Sequence, residues 1–170
     1  HYADQQIDPF GKPEPRKQYI LRDTEKEQQI MGLIEHANFH FNGKELYIEA
    51  DDEVLYDFIY HMLPLMDEYM ELFLTSDIRN LILDDEPEPT TNIRMESTTN
   101  LLEIGFDMEG IQTDEVQSIL EAVIEKKRYY RLQDGAMLNL QSDAFDSLHN
   151  LLSDLDVKKT DLTDGQLHMS

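Results

Sequence analysis

The spacing of apolar residues predicts four helices. The clearest repeat runs from Thr113 to Arg128, where apolar side chains return every three or four positions: Val116, Ile119, Leu120, Val123 and Ile124. We expect Thr113 or Asp114 to cap this helix and three cations to favour its C-terminal end. The other helices are predicted at 24–36, 51–63 and 142–155. Pro64 is expected to prevent a clean continuation of the helix at 51–63.

Glycine-containing turns predict two hairpins. Asn42-Gly43 lies within "FHFNGKELYIEA" and Asp134-Gly135 lies within "YYRLQDGAMLNL", each between alternating apolar residues. A two-residue turn of this composition favours positive φ at both central positions. Further strands are predicted at 18–22, 71–74 and 101–107.

The two halves of the chain show the same order of elements. The segment "LDDEPEPTTN" separates them, and its two prolines and four acids indicate a linker or long loop. We therefore predict an α+β lobe at residues 1–83, an acidic, proline-containing linker or loop at 84–96, and a second α+β lobe at 97–170. Each lobe is expected to hold a small antiparallel sheet with a glycine-turn hairpin and helices packed on one face. An internal duplication and a chance similarity both remain open, because few residues are identical.

Composition indicates a folded domain rather than a disordered tail. The 170 residues are 40% hydrophobic, include eight tyrosines and no cysteine, and carry a net charge of −22. The lack of cysteine excludes disulfides, thiol catalysis and cysteine-ligated zinc. The sequence shows neither an apolar run of ~18 residues nor a signal peptide, so we expect no membrane partner and a cytoplasmic location. Because it begins with His1, we expect a segment of a longer protein.

The candidate catalytic and metal-binding patterns are weak. Asp84-Asp85-Glu86 follows an apolar run, as a magnesium-binding acid does in ATPases, but no glycine-rich phosphate loop accompanies it. His36 and His40 have the i, i+4 spacing of helical metal ligands, yet His40 falls in a predicted hairpin strand. No Gly-x-Ser-x-Gly is present. We predict no catalytic, cofactor or metal site in this chain.

One cluster of cations and tyrosines stands out against the acidic background. Its members are Lys126, Lys127, Arg128, Tyr129, Tyr130 and Arg131. Cations that alternate with aromatic rings hold phosphates and stack on bases in proteins that bind single strands. Alternatively, the cations suit the end of a helix, and one of two consecutive strand tyrosines faces the core. The charge of −22 opposes contact with phosphates.

The stretch "KKRYYRLQDGAMLNL", after "IGFDMEGIQTDEVQSILEAVIE", resembles the helicase-associated region of bacterial Swi/Snf-family helicases. "HYADQQIDPF" and "RDTEKEQQIMGLI" are similar to earlier parts of that region, so the resemblance covers most of the chain. It implies an accessory, non-catalytic segment upstream of an ATP-driven motor, which is its expected partner in the same chain. It also implies that ATP and magnesium belong to the motor, and that zinc belongs to a neighbouring SWIM module.

Three hypotheses of function follow. In the first, the chain is a regulatory domain that docks on the motor or on a partner through its acidic surface. In the second, it is a DNA-binding module that uses the cluster from Lys126 to Arg131. In the third, it is a hydrolase built on the acids near Asp84. The sequence does not define an oligomeric state.

Overall fold

The computed structural model describes residues 22–37, 39–49, 51–96 and 101–169. It combines helices with small antiparallel sheets, which confirms the predicted α+β class. The chain divides into two compact units: one holds the described residues up to 49 together with 62–72, and the other holds those of 50–61 and 73–170. The predicted similarity of lobes at 1–83 and 97–170 remains a prediction.

The first unit contains a helix, a short hairpin and a second helix. Helix α1 spans Thr24–His36, strands β1 and β2 span His40–Phe41 and Leu46–Tyr47, and α3 spans Leu63–Asp67. Asp23 caps α1 by accepting from the backbone N–H of Lys26 at 3.1 Å. The hairpin predicted at Asn42-Gly43 is confirmed, although only Gly43 adopts positive φ there.

Helical structure continues through Pro64, but not in a regular form. Helix α2 spans Asp52–Asp57, and a π-helical turn, Phe58–Met62, connects it to α3. Asp51 caps α2 by accepting from the N–H of Val54 at 3.0 Å. Proline lacks the N–H that a regular α-helix needs at this position, and the irregular turn lies directly before it.

The second unit contains a four-stranded antiparallel sheet in the order β3-β4-β8-β7. Its strands are β3 Pro89–Glu96, β4 Leu101–Met108, β7 Leu162–Thr163 and β8 Gln166–Met169. The strand predicted at 101–107 is therefore confirmed. The prediction of a loop was wrong for β3, because Pro89 takes the first position of an edge strand, where the missing N–H is tolerated.

Two other predicted strands have different outcomes. Residues 71–74 are irregular, so the strand predicted there was wrong. The strand predicted at 18–22 lies, apart from Arg22, outside the described residues. The alternating pattern of "DGQLHMS" indicates the strand β8, but the hairpin between β7 and β8 was not predicted; there Asp164 and Gly165 both have positive φ. Positive φ at both turn residues was expected at Asp134-Gly135, but there only Gly135 has a positive φ.

The main core lies between β4, two helices and a second hairpin. These elements are α5 Thr113–Ile124, β5 Tyr129–Arg131, β6 Met137–Asn139 and α6 Asp143–Asp154, and the unit also contains α4 Ser76–Arg79 and a 3₁₀ turn, Lys159–Asp161. The apolar stripe of α5 is buried, with Ile119 and Leu120 fully enclosed. The hairpin predicted at Asp134-Gly135 is confirmed, as are the helices predicted to begin at Thr113 and at Ser142. The predicted cap was wrong, because Gln112 is the N-cap residue and its side chain makes no capping bond.

Candidate interaction site around the basic segment

The predicted cluster at residues 126–131, here called the basic segment, comprises the end of the turn after α5 and the whole of β5. Helix α5 ends four residues earlier than predicted, because Lys126 adopts a φ of 58°. The N–H groups of Lys126 and Lys127 then bond back to the carbonyls of Val123 and Ala122, each at 3.0 Å. This arrangement is the Schellman motif, which satisfies the last carbonyls of a helix. The cations therefore follow the helix instead of forming its last turn.

The two arginines of the basic segment bind acids on helix α2. Arg128 places Nη2 2.6 Å from Asp57 Oδ1 and also pairs with Glu53. Arg131 pairs with Asp52. Three carboxylates from one helix thus neutralise two guanidinium groups that sequence alone left free for phosphates.

These ion pairs orient the arginines more than they stabilise the fold. The hydrogen bond to Asp57 is the main reason that the pKa of Arg128 lies above its ordinary value. The Arg128 side chain is nevertheless 38% exposed, and exposed pairs contribute about 0–1 kcal/mol each. Most of the stability of this contact must therefore come from other groups.

The two tyrosines of the segment point to opposite faces, as strand alternation predicts. Tyr130 packs against the main core. The ring of Tyr129 stacks on Tyr56 of α2, with ring centroids 5.0 Å apart and planes inclined by 24°. The ring of Tyr56 therefore covers a face of Tyr129 on which a nucleic-acid base could otherwise stack.

Tyr56 is the buried centre of this contact. It is 1% exposed, and its hydroxyl lies 2.9 Å from Asn139 Oδ1 and 3.0 Å from Gln141 Oε1. The guanidinium carbon of Arg128 lies 5.0 Å from the centre of its ring, within the range of a cation–π contact. Burial raises the pKa of the Tyr56 hydroxyl, and the charge of Arg128 lowers it in part.

Tyr60 lies one helical turn further along and anchors the same hairpin. Its hydroxyl donates to the carbonyl oxygen of Met137 at 2.6 Å. Burial, followed by the charge of Glu86, raises the pKa of Tyr60 to about 12. Burial also raises the pKa of Tyr129, with smaller contributions from acids of α2 and its cap. All three hydroxyls are therefore neutral near pH 7.

The two lysines differ in their surroundings. Lys127 Nζ lies 3.0 Å from Glu125 Oε2, and Glu125 also pairs with Lys159. Lys126 is exposed and is the one cation of the segment with no acid within salt-bridge distance among the described residues. Paired in this way, the segment offers phosphate far less positive charge than four cations suggest.

The other candidate residues are not brought together. Asp84, Asp85 and Glu86 are exposed on irregular backbone. His36 Nδ1 lies 2.7 Å from the carbonyl oxygen of Gly32, and the ring of His40 lies 5.5 Å from that of Tyr47. Within the described ranges, no three His, Asp or Glu side chains are grouped as metal ligands. No helix in that part of the chain is long and apolar enough to cross a membrane.

The partners of the basic segment and one buried acid were not predicted from the sequence. Tyr56 and Tyr60 have i, i+4 spacing beside acids on α2, but among 36 acidic residues this pattern carries little information. Glu115 is 6% exposed and accepts from the N–H of Gln133 at 2.7 Å, just before the Asp134-Gly135 turn. Nothing in the sequence distinguishes this carboxylate from its exposed neighbours.

The fold and this site define an acidic α+β domain in which acids of α2 bind the two arginines of the basic segment. A family model described as bacterial SNF2 helicase associated matches residues 1–170, so the chain belongs to that family. The resemblance found in the sequence is thereby confirmed. Neither the curated proteins nor the solved structures contain a match.

Proposed function

We propose that this chain is a non-catalytic accessory domain that docks on the motor of a bacterial SNF2 helicase and orients or restrains it. The motor, with its ATP and magnesium, is the partner in the same chain, and zinc belongs to an adjacent SWIM module. The parent protein works in the bacterial cytoplasm, at the nucleoid where it acts on DNA.

The pairing of Arg128 and Arg131 with the acids of α2 is the observation that carries this proposal. It removes two of the four cations that a DNA contact would use. The chain as a whole carries a net charge of −22, which makes its surface acidic. Such a surface repels phosphate and attracts a basic protein partner. The family match supports a helicase motor as that partner, because its description associates the chain with a helicase.

Binding to the purified motor polypeptide of the same protein tests this proposal. Titration calorimetry at ~50 mM salt is expected to give a saturable complex that weakens as salt screens the charges. The ATPase rate of the motor is expected to change on binding, whereas the chain alone neither binds nor hydrolyses ATP. Absence of a complex at every salt concentration would remove the docking function.

A second function, direct contact with DNA, is favoured by Lys126, which is exposed and has no acid within salt-bridge distance among the described residues. One such cation adds little affinity. On single strands, each neutralised phosphate contributes only about 0.7 to the slope of log binding constant against log salt concentration. The binding of labelled DNA separates the two functions.

A further inference from the structure

Strand β3 is an eight-residue edge strand with exposed apolar side chains. In the described part of the chain it pairs with β4 alone. Ile93 lies opposite Ile104, which is 4% exposed, yet Ile93 is 68% exposed and Met95 is 74% exposed. Opposed residues of an antiparallel pair point to the same face. The packing that buries Ile104 therefore leaves the neighbouring apolar positions of β3 open.

The backbone of β3 is open at the same positions. The N–H of Phe106 donates to the carbonyl of Gly165 at 3.1 Å, so the backbone groups of Phe106 point toward the β8 side. Along a strand, the backbone N–H and C=O groups of successive residues point alternately to one side and the other. The backbone groups of Phe106 and Ile104 therefore point away from β3, and those of the residues opposite them on β3 point away from β4. Those residues are Thr91 and Ile93, and Met95 follows with the same alternation.

The residues that usually protect an edge strand are not effective over this stretch. Pro89 faces outward by the same alternation and lacks an N–H, but it protects only the first position. Arg94 is the one charged residue between Pro89 and Met95, and its backbone faces β4. An extended chain could therefore pair with β3 from Thr91 to Met95 without displacing any described element.

Charge around the strand defines the partner. Residues 84–109 contain eight acids and one basic residue, Arg94. A second copy that paired along β3 would bring two such acidic segments together, which is unfavourable. A basic segment with apolar side chains at alternate positions would complement both the charge and the apolar face.

We propose that β3 binds an extended, basic segment of a protein partner as an additional strand. Its backbone pairs with Thr91, Ile93 and Met95, and its apolar side chains cover Ile93 and Met95. This inference rests on the proposed docking function and assigns its surface, with the basic segment belonging to the motor.

A labelled seven-residue peptide of alternating lysine and valine is the first probe. Fluorescence anisotropy is expected to show saturable binding, and the amide resonances of Thr91, Ile93 and Met95 are expected to shift in a ¹⁵N-labelled chain. Ile93→Lys is expected to weaken the complex about tenfold, because it removes an apolar contact and adds a repelling charge. Phe73→Lys is the matched control: it makes the same kind of substitution at a site that is 84% exposed, and binding is expected to stay unchanged.

A peptide N-methylated at alternate residues separates strand pairing from general attraction to acids. It is expected to bind poorly, because it cannot complete the strand ladder. Equal binding of the methylated peptide, equal binding by Ile93→Lys, or no binding at all would each overturn the proposal. So would self-association of the chain that Ile93→Lys abolishes, since the occupant would then be a second copy.

The motor polypeptide provides the second probe and separates this inference from the docking function. Loss of the motor complex in Ile93→Lys, but not in Phe73→Lys, is the expected result. A motor complex that Ile93→Lys leaves unchanged would overturn the role of β3 and keep the docking function. If no variant or wild-type chain binds the motor, the docking function fails and the motor is excluded as the source of the strand.

Discussion

Replacement of Tyr56 tests whether helix α2 is packed on the hairpin of β5 and β6. The side chain is 1% exposed, stacks on Tyr129 and holds its hydroxyl near Asn139 and Gln141. Truncation of a buried aromatic residue to alanine costs about 3–5 kcal/mol. The hydroxyl alone accounts for about 1 kcal/mol, so Tyr56→Phe is expected to lose only that amount.

Urea unfolding followed by circular dichroism measures both variants. With a denaturant dependence of about 1–3 kcal/mol/M, a loss of about 3–5 kcal/mol means that Tyr56→Ala should lower the urea midpoint by about 1–5 M. Phe73→Ala is the control, because that ring is 84% exposed and its loss is expected to change stability by less than about 0.5 kcal/mol. A loss below about 1 kcal/mol for Tyr56→Ala would refute the packing of α2 on the hairpin.

Three further predictions concern the core, titration and the buried acid. Val123→Asp should cost at least about 3 kcal/mol in the free energy of unfolding, because it buries an unpaired charge, whereas Ser118→Asp on the exposed face of α5 should be nearly silent by the same urea assay. The pKa of Tyr60, raised to about 12, means that the folded state holds its proton more tightly than the unfolded state, so stability is complete below pH ~10 and falls toward pH ~12. Tyrosinate absorbance near 295 nm should show this late titration in the wild type and lose the contribution of one tyrosine in Tyr60→Phe; a wild-type titration complete by pH ~11 would contradict it. Glu115→Ala should cost about 1–3 kcal/mol by leaving the N–H of Gln133 without its acceptor, and a stability equal to wild type in urea would show that this bond contributes nothing.

Local patterns in the sequence predicted most of the second unit. The apolar stripes of α5 and α6 and the Asp134-Gly135 turn each depend on neighbouring residues, so periodicity and turn chemistry were sufficient. The exact end of α5 was not predictable, because a lysine at positive φ closes the helix. Strand β3 was missed because Pro87 and Pro89, just before it and at its first position, indicate a loop until the edge position is known.

The sequence singled out the basic segment as a candidate site but did not indicate what surrounds it. Residues 126–131 were identified by local contrast in charge, whereas their partners on α2 lie 71 to 79 positions away. The pairing of Arg128 with Glu53 and Asp57 depends on the tertiary fold, and with 36 acids in the chain no acid could be chosen in advance. Strand alternation correctly predicted that the two tyrosines face opposite sides. Only the structure shows that Tyr56 covers Tyr129, the one that faces away from the main core.

Whether the basic segment contacts DNA or helix α2 is tested most directly by anisotropy of labelled single-stranded DNA at ~50 mM salt. The wild-type chain is expected to show no saturable binding, because the two arginines of the basic segment are held by Asp52, Glu53 and Asp57. Neutralising those acids, with Asp52→Asn, Glu53→Gln and Asp57→Asn, is expected to release both arginines and produce measurable, salt-sensitive binding. Tight wild-type binding with a log–log salt slope near −3, abolished by Lys127→Glu, would contradict the docking function and establish the segment as a DNA contact.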